Sequence, residues 1–170
     1  MTTKAKAVPQ RRSEEVGLEF FVRSLAPNQC YPQQQAIVQR LRRLETEGTI
    51  TEFGLDVWGD QIAGSRNVQS ERHSRYRTRL AAFRDWAEAH DMSLRPGFQA
   101  ETIHSEFTGE TVTRIRLPIM TLAEYDGGNH RFVSPSSDGD SHFSVTDHIA
   151  AIENPSEDSI PTRDEEGDGR

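Results

Sequence analysis

Three arginines lie close together in the segment RLRRLETEGTI, where their side chains suit binding to phosphate groups. Arg40, Arg42 and Arg43 belong to a predicted helix over residues 33–47. A guanidinium group can hold a phosphate with two parallel hydrogen bonds. Contact with duplex DNA is therefore one hypothesis. The alternative is a plain amphipathic helix whose arginines face water.

The same segment, with the strand that ends at Gly59, resembles the third helix and wing of winged-helix regulators. In those proteins the helix enters the major groove and the wing contacts phosphate. A winged domain needs three helices around its own core, so this interpretation depends on whether residues 18–25 form a helix. The alternation of Leu18, Phe20 and Val22 favours a strand instead.

A second set of arginines lies in the predicted long helix over residues 70–91. Arg72, Arg75 and Arg79 are spaced at i, i+3 and i+7 and share one helix face. This arginine stripe suits binding to phosphates without reading base sequence. The alternative is a solvated face with acidic neighbours as partial partners, namely Glu71, Asp85 and Glu88.

Residue types suited to catalysis or metal binding occur without a matching motif. The six histidines show no HxH, HExxH or HxxxH spacing, and Cys30 is the single cysteine. We therefore assign no catalytic, cofactor-binding or metal-ligating residue and expect no cofactor. An enzyme of unrecognised type would have to gather several dispersed side chains in one pocket, namely His104, Glu106, His130, Asp138 and His142.

Composition and charge limit the class of protein. The chain has 170 residues with 34% hydrophobic content, enough for one domain, and no apolar run long enough to span a membrane. No secretory signal is apparent at the start, so we expect a cytoplasmic location. The net charge is -7, and 18 of the 20 basic residues are arginines, a composition that would suit a high-salt cytoplasm or result from codon bias in a GC-rich genome.

The charge is distributed unevenly. Residues 1–95 carry 15 basic and 12 acidic side chains, whereas residues 96–170 carry 5 and 15. We expect a disordered basic arm over residues 1–13, one folded domain over residues 14–153 and a disordered acidic tail over residues 154–170. The tail is also a candidate internal competitor for the arginine stripe.

The periodicity of apolar residues predicts an α+β fold. After the first strand come the helix over residues 33–47, a strand over 49–58 and the helix over 70–91. Short strands follow over residues 98–107, 111–117, 119–125 and 131–134, and Ser144 can cap a last helix over residues 145–153. This order predicts a mainly antiparallel sheet with helices on one face, of ferredoxin-like type.

Four segments together resemble a family of small haloarchaeal proteins of unassigned function, some labelled helix-turn-helix proteins. The segments are LEFFVRSLAP at 18–27, RLRRLETEGTI at 40–50, AAFRDWA at 81–87 and LPIMTLAEYDGG at 117–128. The resemblance spans about residues 18–152 and implies a domain that could bind DNA. It brings no catalytic or ligand-binding residues to transfer.

These observations lead to three expectations of function. The first is a non-enzymatic domain that binds a protein or a small molecule, with a homodimer through the antiparallel sheet as one arrangement. The second is a DNA-binding regulator that uses Arg40, Arg42 and Arg43 with the arginine stripe. The third is an enzyme of unrecognised type.

Overall fold

A computed structural model describes residues 16–26, 29–63 and 71–155 of the chain. The predicted basic arm of residues 1–13 lies outside these ranges, and so does the predicted acidic tail from residue 156 onward. The helices are α1 (Tyr31–Thr46), α2 (Glu71–Ala89) and α3 (Val145–Glu153). The strands are β1 (Val16–Val22), β2 (Glu52–Val57), β3 (Gln61–Ala63), β4 (Gln99–His104), β5 (Thr111–Arg116), β6 (Met120–Asp126), β7 (Asn129–Ser134), β8 (Ser136–Ser137) and β9 (His142–Phe143).

Strand β1 is an inner strand of the main sheet, whose order is β2-β1-β6-β7. It pairs with β2 in parallel and with β6 antiparallel. Its sequence VGLEFFV is buried at every position except Glu19, which is half-buried. A strand with apolar residues on both faces needs cover on both faces, and β1 receives it.

Helices α1 and α3 cover one face of the main sheet. Leu18, Phe20 and Val22 of β1 pack there against α1, together with Leu122 of β6. Helix α1 contributes Ile37, Leu41 and Leu44, and helix α3 contributes Val145 and Ile149. The amphipathic helix predicted over residues 33–47 is therefore confirmed.

Helix α2 covers the opposite face. Phe21 of β1 stacks on Trp58, with ring centroids 4.5 Å apart, and both rings contact Phe83 of α2. A second sheet, of order β3-β5-β4, packs on this side and contributes Ile62 and Ile115 to the same core. The aromatic core of the protein therefore lies between α2 and the two sheets.

The helix termini follow the local sequence signals. Helix α1 ends at Thr46, and Gly48 takes a φ of 78°, a left-handed conformation that glycine adopts at little cost. Ser144 caps α3 in a capping box with Asp147, as the sequence predicts. None of the helices assigned to the described ranges combines the length and apolarity needed to cross a bilayer.

The α+β class with mainly antiparallel sheets is confirmed, but the arrangement of helices differs from expectation. The helices lie on both faces of the main sheet because β1 carries Phe20 on one face and Phe21 on the other. The strand order also differs from the ferredoxin-like type. In a split β-α-β unit another strand separates the first two, whereas β1 and β2 are direct parallel neighbours.

Candidate functional site

The outward face of α1 is polar and exposed. Opposite the buried stripe lie Gln35, Gln39, Arg42, Arg43 and Thr46, which we call the α1 outer face. Their spacing of three, four and seven residues places them together on one side of the helix. The acidic residues of this segment begin only at Glu45. The α1 outer face therefore presents amide, hydroxyl and guanidinium groups with a net positive charge.

Arg40 points away from this face. Its guanidinium group forms an ion pair with Glu153, the last residue of α3, and donates hydrogen bonds to Glu153 Oε1. Both side chains are about a quarter exposed, which strengthens the pair relative to one in bulk water. The three arginines expected to act together thus divide into one that joins two helices and two that face solvent.

The segment after α1 does not form the wing of a winged helix. Of residues 18–25, on which that interpretation depends, residues 18–22 belong to strand β1, as the alternation favoured, and none is helical. Strand β2 pairs with β1 in the main sheet, whereas β3 pairs with β5 in the second sheet. Because β2 and β3 belong to different sheets, they cannot form the hairpin that a wing requires.

The arginine stripe of α2 lies over acidic residues of the main sheet. Arg75 Nη2 is 3.0 Å from Asp56 Oδ2, and Arg79 Nη1 is 3.0 Å from Glu19 Oε1. Arg72 donates to the carbonyl oxygen of Val57 at 2.7 Å. The acidic partners come from β1 and β2 rather than from the neighbours on the helix. Much of the positive charge of the stripe is therefore balanced within the fold.

Burial around Arg79 shifts the pKa values of two neighbouring side chains. Desolvation raises the pKa of Glu19, and Asp56 raises it further, while Arg79 opposes the rise. Burial, followed by the charge of Arg79, lowers the pKa of His130. His130 also packs edge-on against Phe83, with ring centroids 5.2 Å apart. This region is a partly buried ion pair beside a histidine with a lowered pKa, rather than an open cationic surface.

A serine, a histidine and a glutamate form a relay inside the protein. Ser134 Oγ is 2.8 Å from His148 Nδ1, and His148 Nε2 is 3.1 Å from Glu124 Oε2. Arg131 Nη1 approaches Glu124 Oε1 at 3.3 Å. Burial opposes ionisation of Glu124, but the hydrogen bond from His148 and the charges of His148 and Arg131 lower its pKa. The carboxylate is thus ionised at neutral pH and Nε2 is the donor.

The order serine, histidine, carboxylate resembles that of an activated nucleophile, but a substrate cannot reach these buried side chains. Ser134 has no exposed surface, and His148 is 2% exposed. A nucleophile must reach the atom that it attacks, and Ser134, in strand β7, is fully buried under α3 at His148. The relay instead supplies hydrogen-bond partners for buried polar groups and anchors α3 to β6.

The side chains expected to meet in an enzyme pocket are dispersed. His104 is the last residue of β4, and Glu106 lies in the turn that follows it. His130 is the second residue of β7, beside the β6–β7 turn. Asp138 and His142 belong to the short β8–β9 hairpin, where backbone hydrogen bonds lower the pKa of Asp138. Within the described part of the chain, no group of three or more metal-ligating side chains comes together.

Among the described residues, two clefts bear on the enzyme and partner hypotheses. The larger, of about 440 Å³, lies between the end of α2 and the second sheet and is lined by Arg84, Ala87, Glu88, Met92, Ser93, Leu94, Arg95, Phe98, Ala100 and Ile115. The smaller, of about 240 Å³, is lined by Arg23, Asp60, Gln61, Glu101, Arg114 and Arg116. Neither contains the histidines of the enzyme hypothesis.

Sequence reasoning missed two features that carried a local signal. His148 falls on the apolar stripe of α3 with Val145, Ile149 and Ile152, which is the position of a buried residue. Glu124 is a charged residue within the buried segment of β6. A charged residue and a histidine, each at an inward position, indicate a buried pair.

Comparison with known proteins identifies a family for almost the whole chain. A protein-family model described as a helix-turn-helix domain matches residues 10–157. This match agrees with the helix-turn-helix label expected from the resemblance. The haloarchaeal origin of the family stays a prediction. No curated protein and no solved structure matches the chain.

Proposed function

The chain belongs to the helix-turn-helix domain family, and on that premise we propose that it binds duplex DNA through the α1 outer face. Helix α1 has 16 residues, so it is about 24 Å long at 1.5 Å per residue. An exposed helix of this length fits the major groove, which is wide enough to admit an α-helix.

The observation that carries this proposal is the composition of the α1 outer face. Arg42 and Arg43 can each contact a phosphate or the O6 and N7 atoms of guanine. Gln39 and Gln35, one and two turns earlier, can pair with the N6 and N7 atoms of adenine. The face thus combines groups that position a helix on the backbone with groups that read bases.

The overall charge of the chain makes the location of this surface important. A net charge of -7 repels DNA at long range, so attraction must come from a local region whose arginines are not paired with carboxylates. The α2 stripe meets this condition less well, because Glu19 and Asp56 lie beneath it. The α1 outer face is the stronger candidate of the two.

The test compares single charge reversals at fixed salt. Fluorescence anisotropy with a labelled genomic duplex would measure the wild-type chain, Arg42→Glu, Arg43→Glu and Arg116→Glu. Arg116 is an exposed arginine on β5, so its reversal makes the same change in net charge at a distant surface. We expect at least ~10-fold weaker binding for each α1 variant and a smaller change for the control.

Equal losses in all three variants would indicate nonspecific attraction and contradict the assignment to α1. Absence of binding by the wild-type chain, even at low salt, would contradict DNA binding itself. A titration with KCl adds a further criterion. Removing one phosphate contact should reduce the slope of log K against log salt by about one.

A second candidate function is the binding of a protein or small-molecule partner without catalysis. The cleft between α2 and the second sheet favours this role, because its floor is apolar and arginines lie at its rim. The two functions are compatible, since α1 and this cleft belong to different sides of the main sheet. Either agrees with the cytoplasmic location expected from the sequence.

A further inference from the structure

The hairpin formed by β4 and β5 exposes an aromatic residue at its tip. Phe107 lies in the turn between the two strands and is fully exposed, at 103% of its reference area. Ile103, near the end of β4, is 40% exposed. Exposed large apolar side chains that cluster on a protruding element indicate a contact with another molecule.

The outer edge of β4 is also open. The second sheet has the order β3-β5-β4, so one side of β4 has no strand neighbour among the described residues. The segment QAETIH contains neither the proline nor the lysine that commonly protects a sheet edge. Its backbone groups are therefore available to pair with another strand.

The charge around Phe107 selects among partners. Glu106 and Glu110 flank the ring at the tip, and both side chains are exposed. Two carboxylates beside an aromatic ring repel nucleic acid phosphates. They favour a protein surface that offers an apolar pocket with basic groups around it.

The cleft between α2 and the second sheet has this composition. Its apolar floor includes Met92, Leu94 and Phe98, and Arg84 and Arg95 lie at its rim. Neither arginine side chain forms an ion pair with any residue that the structure describes. Glu88 shares the rim, so the three charged groups carry a net charge of one positive unit.

We propose that a second copy of this chain occupies the cleft. The two β4 strands pair antiparallel across a two-fold axis, and Phe107 of each copy enters the cleft of the other. A two-fold axis perpendicular to the sheet pairs residues that face the same side, and with Thr102 on the axis it places Ala100 opposite His104. The same register carries Phe107 to the level of Gly97, inside the loop from Met92 to Phe98 that lines the cleft.

The same register keeps like charges apart and brings opposite charges together. Glu101 lies opposite Ile103 of the other copy, so like charges do not face each other in the paired strands. Glu106 reaches the level of Phe98, in the same loop as Arg95, where the glutamate and arginine side chains can form an intermolecular ion pair. The arrangement is isologous, since each copy contributes both a hairpin tip and a cleft.

The experiment uses charge reversal and mixing of full-length chains. Light scattering after size exclusion, over about two orders of magnitude in concentration, measures the dimer of the wild type, Phe107→Ala, Arg95→Glu and Glu106→Arg. Leu55→Ala on the open edge of β2 is the matched control, because Leu55 is also an exposed apolar residue, at 42%. We expect each of the three interface variants to weaken the dimer at least ~10-fold and the control to leave it unchanged.

Mixing then tests the pairing itself. Arg95→Glu alone sets two carboxylates against each other at each contact, and Glu106→Arg alone sets two guanidinium groups together. In a mixed dimer one contact is the original pair and the other is the reversed pair, so we expect the mixture to recover the wild-type affinity.

A wild-type chain that remains monomeric over this range would overturn the proposal. So would a dimer that is insensitive to Phe107→Ala, or one weakened by Leu55→Ala instead. The proposal does not rest on DNA binding. Failure of the α1 variants to affect DNA and failure of the hairpin variants to affect the dimer are separate results.

Discussion

The Nε2 atom of His148 lies 3.1 Å from Oε2 of Glu124 and joins helix α3 to strand β6 inside the core. The histidine side chain is fully buried and the glutamate side chain is 8% exposed. A charge in such surroundings needs its partners, because water cannot replace them. Ser134 and Arg131 complete the set, so four side chains hold α3 on the sheet.

Replacement of His148 by alanine should destabilise the protein strongly. The substitution leaves Glu124 buried with only Arg131 as a charged partner and also opens a cavity. We expect a loss of about 3 kcal/mol in the free energy of unfolding, measured by urea denaturation. His142→Ala, at an exposed histidine, should change it by less than about 0.5 kcal/mol. Equal effects of the two substitutions would contradict the role given to the relay.

The lowered pKa of Glu124 predicts how stability depends on acid. A carboxyl group whose folded pKa is below its unfolded value adds stability above the unfolded pKa, and this stability is lost as the pH falls through the folded pKa. The loss should therefore begin as the pH drops below the ordinary value of 4.5. In Glu124→Gln, which cannot ionise, thermal unfolding temperature should fall less steeply in this range. Equal steepness of the wild-type and variant curves below pH 4.5 would contradict a stabilising role for ionised Glu124.

The pairing of the α2 stripe predicts that its arginines matter less for DNA than those of α1. We expect Arg79→Ala to weaken duplex binding less than Arg43→Ala does, because Arg79 already pairs with Glu19. Its effect on stability should be within about 0–1 kcal/mol, since the arginine side chain is 42% exposed. Anisotropy and thermal unfolding of the two variants measure both quantities. A larger DNA effect from Arg79 would instead favour the stripe as the interface.

The close approach of Gly17 to Tyr125 gives a test of packing on the main sheet. A Cβ atom at Gly17 would overlap the ring of Tyr125, whose hydroxyl donates to Glu52. We expect Gly17→Ala to cost about 1–2 kcal/mol in unfolding free energy. Gly54→Ala is the control, because a Cβ atom there has open space on the neighbouring strand. Equal unfolding temperatures for the two variants would show that the ring moves aside readily.

Local patterns predicted most helices and strands because the relevant signals lie within a few residues. The stripe Ile37, Leu41 and Leu44 located α1, and the alternation of Leu18, Phe20 and Val22 located β1. The same alternation concealed that Phe21 also faces a core. A sequence pattern read for one buried face does not show a second layer, and this is why the helices were expected on one side only.

The candidate site was harder to predict because its composition depends on distant partners. Nothing near Arg40 indicates that Glu153, more than a hundred positions along the chain, removes it from the outer face. Arg79 and Glu19 meet across two different elements in the same way. The short strands β3, β8 and β9 also escaped notice, since two or three residues carry no measurable periodicity.

The place of β1 between β2 and β6 has a consequence for how the protein is made. Strand β1, helix α1 and strand β2 are contiguous in the chain and can associate as soon as residue 57 has left the ribosome. The other edge of β1 has to wait until β6 has been synthesised through Asp126. During that interval a strand rich in phenylalanine has one unpaired edge, which is a state prone to aggregation. Slow translation of residues 58–119 should therefore lower the yield of folded protein, whereas chaperones that bind exposed strands should restore it.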